Sequence, residues 1–233
     1  MMEKYNYRKD PHQDIDHVFR DLLPAHGMVE RPAQVELSHQ MLDTMLNGSI
    51  ALCDAGTGIG KTYAYLVAGV VFRRYRSRAG LPNQPLLIST SSIALQGAII
   101  HDYLPFLSKV MMADGMLDSP LRAVLRKGKS HYVCDARLMK RLQTANLDRK
   151  NPLAKAALLS MRDHLDLDMA PHLSGYDRER ICVPPTCDCG KTECRYLCYL
   201  DVCASERYAI QVCNHNLLLA DAIHRGSGKR SIL

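Results

Sequence analysis

The sequence predicts an α/β fold, a parallel sheet with helices around it. Three observations carry this. Apolar runs of strand length occur at residues 50–53, 86–88, 123–125 and 208–213. Several of them pass through a polar or glycine-rich turn into a helix-forming stretch, the alternation that builds a parallel sheet. The chain has 233 residues, 47% of them hydrophobic, enough to bury a sizeable core in one domain or two small ones.

Taken in order, residues 1–29 read as a polar lead with a short amphipathic helix over 15–23, ended by Pro24 and Gly27. Pro32 suits a helix start. That helix runs to Leu46, with Val35, Leu37, Met41, Leu42, Met45 and Leu46 on its apolar side, and Asn47-Gly48 closes it. Residues 50–53 read as a short buried strand. A glycine-rich turn and a long helix follow. Its basic end, Arg73-Arg74-Tyr75-Arg76-Ser77-Arg78, suits the helix dipole. Residues 86–88 form the next buried strand, leading through Ser89-Thr90-Ser91-Ser92 into a helix over 93–101. Ligands in such sheets sit at the carboxyl ends of strands, so these hydroxyls fall on the useful edge; they also suit a helix N-cap. A third strand at 123–125 precedes helices over 136–145 and 153–165. Residues 208–213 form a last strand, followed by a helix over 214–221.

The turn between the first strand and its helix carries the chemistry. It reads Asp54-Ala55-Gly56-Thr57-Gly58-Ile59-Gly60-Lys61-Thr62. Glycines let the backbone N–H groups approach phosphate oxygens, and the new helix points its positive end at the same anion. In a phosphate-binding loop, Lys61 reaches the β- and γ-phosphates and the Thr62 hydroxyl ligates magnesium. Ala55 stands where the strict pattern has glycine. The competing reading is a strand-to-helix turn with no ligand. Arg31 and Gln34, shortly before the loop, suit recognition of an adenine edge; a capped surface helix would look the same.

The N-terminus is polar and lacks a secretory pattern, which points to the cytoplasm. No run of about eighteen apolar residues occurs, so no membrane span is expected. A reducing compartment disfavours structural disulfides, so the nine cysteines are better explained by metal binding. Six lie between Cys182 and Cys203, in a stretch with little core of its own. Four-thiolate sites suit iron–sulfur or zinc. Cys53 and Cys213 fall in apparent strands and read as small buried residues. The net charge of +6 is uneven: residues 121–150 hold nine basic residues against two acidic ones. Such a stripe is the footprint of a nucleic-acid contact, or a solvated helix face.

Together these residues resemble iron–sulfur helicases of the DinG/XPD type. Arg31-Pro32-Ala33-Gln34 looks like their adenine motif, residues 54–62 like their Walker A, and 89–96 like motif Ia, which lies along DNA. Residues 127–134 are similar to the approach to the first cluster cysteine, and 212–221 to the segment ahead of a DEAH box. The resemblance covers roughly residues 30–233. It implies a RecA-like P-loop sheet with an inserted iron–sulfur domain: a lead at 1–29, a first motor domain at 30–126, the cluster insertion at 127–205, and a return to the motor at 206–233. It implies ATP and Mg2+ held by Arg31, Gln34, Ala55, Gly56, Thr57, Gly58, Gly60, Lys61 and Thr62, with Lys61 and Thr62 catalytic. It also implies a 4Fe–4S cluster on Cys134, Cys182, Cys187 and Cys194, with Cys189 competing and Cys198 and Cys203 surplus. DNA, single-stranded or tailed, is the implied partner.

The sequence contains no Asp-Glu pair. The resemblance places the DEAH box just after Leu233, so an N-terminal fragment inactive in hydrolysis is expected. Two other classes stay open: a zinc-stabilised nucleic-acid-binding module with a regulatory P-loop, and a different P-loop enzyme, such as a kinase, with a metal insert.

Overall fold

The computed structural model describes residues 10–83, 85–147, 150–187, 194–205, 207–228 and 233. They fall into two compact units. Unit 1 takes residues 1–125 and 206–212; unit 2 takes 126–205 and 213–233. No described helix is long and apolar enough to cross a membrane.

Unit 1 opens with α1 (Pro11–His17), capped by the Asp10 carboxylate, which accepts from the His12 N–H. A π-helical turn over Val18–Leu22 leads into α2 (Leu23–Ala25). The helix therefore passes through Pro24 and ends at Gly27, whose φ of 83° is left-handed. The same device recurs downstream: α5 (Ile93–Ala98), a π turn over Ile99–Tyr103, then α6 (Leu104–Ala113). Each π turn stands just before a Leu-Pro pair, Leu23-Pro24 and Leu104-Pro105. Proline has no N–H and crowds the carbonyl four residues back, and a wider turn accommodates both defects. This is why both helices outrun the expected stops.

Between these lie α3 (Pro32–Leu46) and α4 (Lys61–Arg78). The sheet is small: β1 (Leu86–Ser89), β2 (Ala123–Leu125) and β3 (Ile210–Cys213), in the order β1-β3-β2. β2 runs parallel to β3, with Ala123 opposite Ile210 and Leu125 opposite Val212. Central β3 is buried at every position. α4 lies close on β1, since a Cβ at Gly69 would come within 2.4 Å of Leu86 Cδ1. Leu42, Leu66, Val67, Ile99, Leu107 and Met111 fill the core at 0% exposure.

One expected strand is absent. Residues 50–53 have no regular structure, and Ile50 and Leu52 are 94% and 99% exposed. Cys53 is exposed too, against the buried reading. Four apolar residues make a strand only when a neighbouring strand supplies hydrogen bonds, and among the described residues none pairs with them. Cys213 is buried in β3, as read.

Unit 2 holds α7 (Asp135–Thr144), α8 (Pro152–Ser160), α9 (Gly175–Ile181), α10 (Arg195–Ala204) and α11 (His215–Gly226). Its core is Val133, Leu138, Leu158, Met161, Leu167 and Ile181. α8 ends earlier than expected, at Ser160. α10 was not expected: it carries Cys198 and buries Cys203. Antiparallel bridges join Tyr132 to Asp166 and Val133 to Cys182.

Candidate functional site

The glycine loop in unit 1 runs from Asp54 to Gly60, and Gly60 caps α4 in a left-handed conformation (φ 84°). Space as well as conformation requires glycine there: a Cβ would stand 2.0 Å from Gln34 Nε2. Gln34 is 4% exposed, and its Nε2 donates to the Gly60 carbonyl at 2.6 Å. The Arg31 guanidinium donates to the carbonyl of Gly58, a second left-handed glycine. Arg31 precedes α3 and Gln34 lies in its first turn, so the start of α3 clamps the loop. The clamp continues inward, where buried Ser38 Oγ donates to the Ala64 carbonyl at 3.0 Å.

Lys61 opens α4, and its ammonium folds across the loop to the carbonyls of Ala55 (2.7 Å) and Gly56 (2.9 Å). Thr62 follows in the first turn, half-buried, while Thr57 is exposed. The structure thus brings Arg31, Gln34, Ala55, Gly56, Gly58, Gly60 and Lys61 together. The N-terminus of an 18-residue helix, the Lys61 ammonium and close glycine backbone make an arrangement suited to an anion. The Ser92 hydroxyl caps α5, and the Thr90 hydroxyl closes the turn before it. Ser92 Oγ accepts from the Leu95 N–H (3.2 Å), and Thr90 Oγ1 from the Ser92 N–H (3.2 Å).

In unit 2, backbone bonds join the segments of Cys134 and Cys182, and a side-chain ion pair ties the segment of Cys194 to that of Cys134. The Cys134 N–H donates to the Ile181 carbonyl at 2.8 Å, beside the Val133–Cys182 bridge. Cys134 and Cys194 begin α7 and α10, and their neighbours form an ion pair, Arg195 Nε to Asp135 Oδ1 at 2.8 Å. Arg137 donates to the Cys182 carbonyl (2.7 Å) and lies 3.8 Å from its sulfur. Cys187 is exposed. Cys189 lies outside the described residues. Burial pushes the Cys203 thiol up, which suits a packed side chain. The donor set, free thiols near a cation, fits a soft metal centre in chemistry. Among the described residues, however, no three His, Cys, Asp or Glu side chains are gathered closely enough to hold a metal ion.

Part of the basic stripe turns inward, while Arg122, Lys129 and Lys140 are exposed. Arg126 is 4% exposed, its guanidinium 5.8 Å from the centre of the Tyr199 ring. Lys127 bonds Asp166 (2.6 Å) and Asp168 (2.8 Å). Arg141 and Lys150 each lie 2.7 Å from Asp177, whose side chain is fully buried. Burial alone would raise the Asp177 carboxyl; the bonds from Lys150, Ser174 and Arg141 outweigh it and hold it below the usual range. Asp168 follows the same pattern: burial opposes its charge, but Lys127 and Arg178 hold it well below that range. A linear charge count could not foresee this, because the partner acids lie further along the chain.

Comparison with curated proteins finds similarity to helicases. The chain is 30% identical over 139 residues to the 3'-5' exonuclease DinG of Bacillus subtilis, 60% of this chain and 13% of that protein. It is 30% identical over 129 residues to the ATP-dependent DNA helicase YoaA of Haemophilus influenzae, 55% of this chain and 18% of that one. It is 29% identical over 128 residues to the ATP-dependent helicase DinG of Mycobacterium tuberculosis, again 55% and 18%. The chain therefore spans less than a fifth of each of these relatives. No family model matches, and no solved structure matches. Over about half of its residues, this chain is similar to the DinG-like helicases.

Proposed function

We propose that the chain supplies the ATP-binding part of a DinG-like, ATP-dependent DNA helicase. One observation carries the reading: the glycine loop, ahead of an 18-residue helix, is clamped by Arg31 and Gln34 from α3. Backbone N–H groups from Gly56 to Thr62 would cradle the phosphates, with Ala55 and Thr57 shaping the turn. Lys61 would exchange its two carbonyl partners for the β- and γ-phosphates, and the Thr62 hydroxyl would hold Mg2+, which neutralises phosphate charge when bound. Exposed Arg31 would lie beside the adenine, and Gln34 would act by holding Gly60 in place.

The sheet is read as part of a RecA-like motor, with domain limits at 30–126, 127–205 and 206–233, a lead at 1–29, and single-stranded DNA as partner in the cytoplasm. Cys134, Cys182, Cys187 and Cys194, with Cys189 in reserve, would hold the 4Fe–4S cluster. The backbone bonds between the segments of the first and second, and the Arg195–Asp135 ion pair beside the first and fourth, support that set. A cluster there would fasten the start of α7 to the start of α10.

Binding of a fluorescent ATP analogue with Mg2+ tests the loop. Lys61→Ala should weaken it by at least about tenfold, the value of one charge-assisted contact; equal affinity would sink the assignment. Protein prepared without oxygen tests the cluster: iron and visible absorbance should vanish together in Cys134→Ser and persist in Cys213→Ser. Zinc in place of iron would defeat the cluster reading.

A further inference from the structure

The end of α4 opposite the glycine loop lines a second cavity, about 440 Å³ in volume and wholly within unit 1. At about 1.5 Å of rise per residue, the helix sets it roughly 20–25 Å from the loop. Arg73, Arg74 and Arg78 line it from α4, and Arg122 and Arg207 from the segments entering β2 and β3. Asp118 is the carboxylate in its wall.

The arginines are placed by the fold. The Ala209 N–H donates to the Arg122 carbonyl at 2.8 Å, so the starts of β2 and β3 lie side by side and set Arg122 and Arg207 at one edge. Buried Asp14 stands 3.5 Å from Arg74 Nε and 3.3 Å from Arg78 Nη1, steadying both. Ser108 Oγ accepts from the Leu121 N–H (2.9 Å) and fixes the loop that forms the rim. Among the described residues, five guanidiniums and the Asp118 carboxylate line the concave site, with Asp14 behind Arg74 and Arg78. The dipole at the end of α4 accounts for cations on that helix. It does not account for Arg122 and Arg207, which arrive from other elements.

We propose that this cavity binds a phosphate-rich anion, either a free polyphosphate or the phosphate backbone of a nucleic-acid strand. The planar forks of several arginines match phosphate oxygens two at a time. The inference does not depend on the glycine loop binding ATP.

The full chain carrying Lys61→Ala removes the loop's cation and leaves this cavity intact. At low salt it should bind inorganic tripolyphosphate or a labelled twelve-residue oligothymidylate. Adding Arg122→Ala and Arg207→Ala should weaken that binding about tenfold or more. Lysine at both positions should restore it only in part, because charge returns without the fork. If the double variant melts abnormally, Arg73→Ala alone serves, with the same expected direction. Competition identifies the source: tripolyphosphate displacing the oligonucleotide means a small polyphosphate site, and binding of the oligonucleotide alone means a strand backbone site. Unchanged affinity in a folded arginine variant, or binding of neither anion by the Lys61→Ala chain, would overturn the proposal.

Discussion

The two units are held together by a different balance of forces. Unit 1 has a continuous apolar core, in which helices from α1 to α6 close on the sheet around residues such as Phe19, Leu66 and Met111. Unit 2 has a smaller apolar core and surrounds it with ion pairs: Asp177 between Arg141 and Lys150, Asp168 with Lys127 and Arg178, and Asp135 with Arg195. The contrast has a consequence for function. Unit 1 rests on its larger core and carries ion pairs as well, among them Asp14 with Arg74 and Arg78 beside the arginine-lined cavity. Unit 2 uses its cations to hold its own helices.

The strongest way to break the contrast is at Asp177. Removing its carboxylate leaves Arg141 and Lys150, 16% and 18% exposed, facing each other without a counter-charge. Asp177→Ala should destabilise unit 2 by about 3–5 kcal/mol. Hydrogen exchange should show α7 and α9 opening while α4 stays protected. Equal protection in α7 and α9 before and after the change would show that the apolar core suffices.

A smaller effect is expected in unit 1 at Gly60. Alanine there must adopt a left-handed conformation, at about 1–2 kcal/mol, and its Cβ would drive Gln34 off the loop. The melting curve should shift modestly, while nucleotide affinity should fall far more than stability alone explains. Unchanged affinity would separate the clamp from the site.

These two positions also mark what the sequence could disclose. Gly60 was legible, because a glycine followed by Lys61-Thr62 states its conformational need locally. The extent of α3 was legible for the same reason: Pro32, the apolar spacing and Asn47-Gly48 are all within one segment. β1, β2 and β3 were found near their observed limits from short apolar runs. The run at 50–53 has the same composition and forms no strand, because pairing is a property of neighbours. The basic stripe was legible only in part: Lys127, Arg141 and Lys150 turn to Asp166, Asp168 and Asp177, which lie later in the chain. The arginine cavity was invisible because its residues come from three separate segments.

Acid should sharpen the contrast further, with the smallest effect of the three. Asp177 and Asp168 are both held below the ordinary value of 3.8 in the folded chain: burial works against this, and Lys150 and Lys127 respectively lead the bonds that prevail. A depressed folded value means the unfolded chain takes up the proton first. The stabilisation is therefore fully present above 3.8 and is lost as pH falls from there through the lower folded values. At fully buried Asp177, each unit of depression corresponds to about 1.4 kcal/mol. Asp168 is 41% exposed, and water screens its share. Denaturant titrations from pH 7 down to pH 2 should show unit 2 losing stability below about pH 4. The burial that holds the core of unit 1 has no such proton dependence. In Asp177→Asn the acid loss in unit 2 should be smaller, since a group that cannot ionise no longer links folding to pH. An unchanged acid profile in that variant would move the pH sensitivity of unit 2 away from the Arg141–Asp177–Lys150 triad.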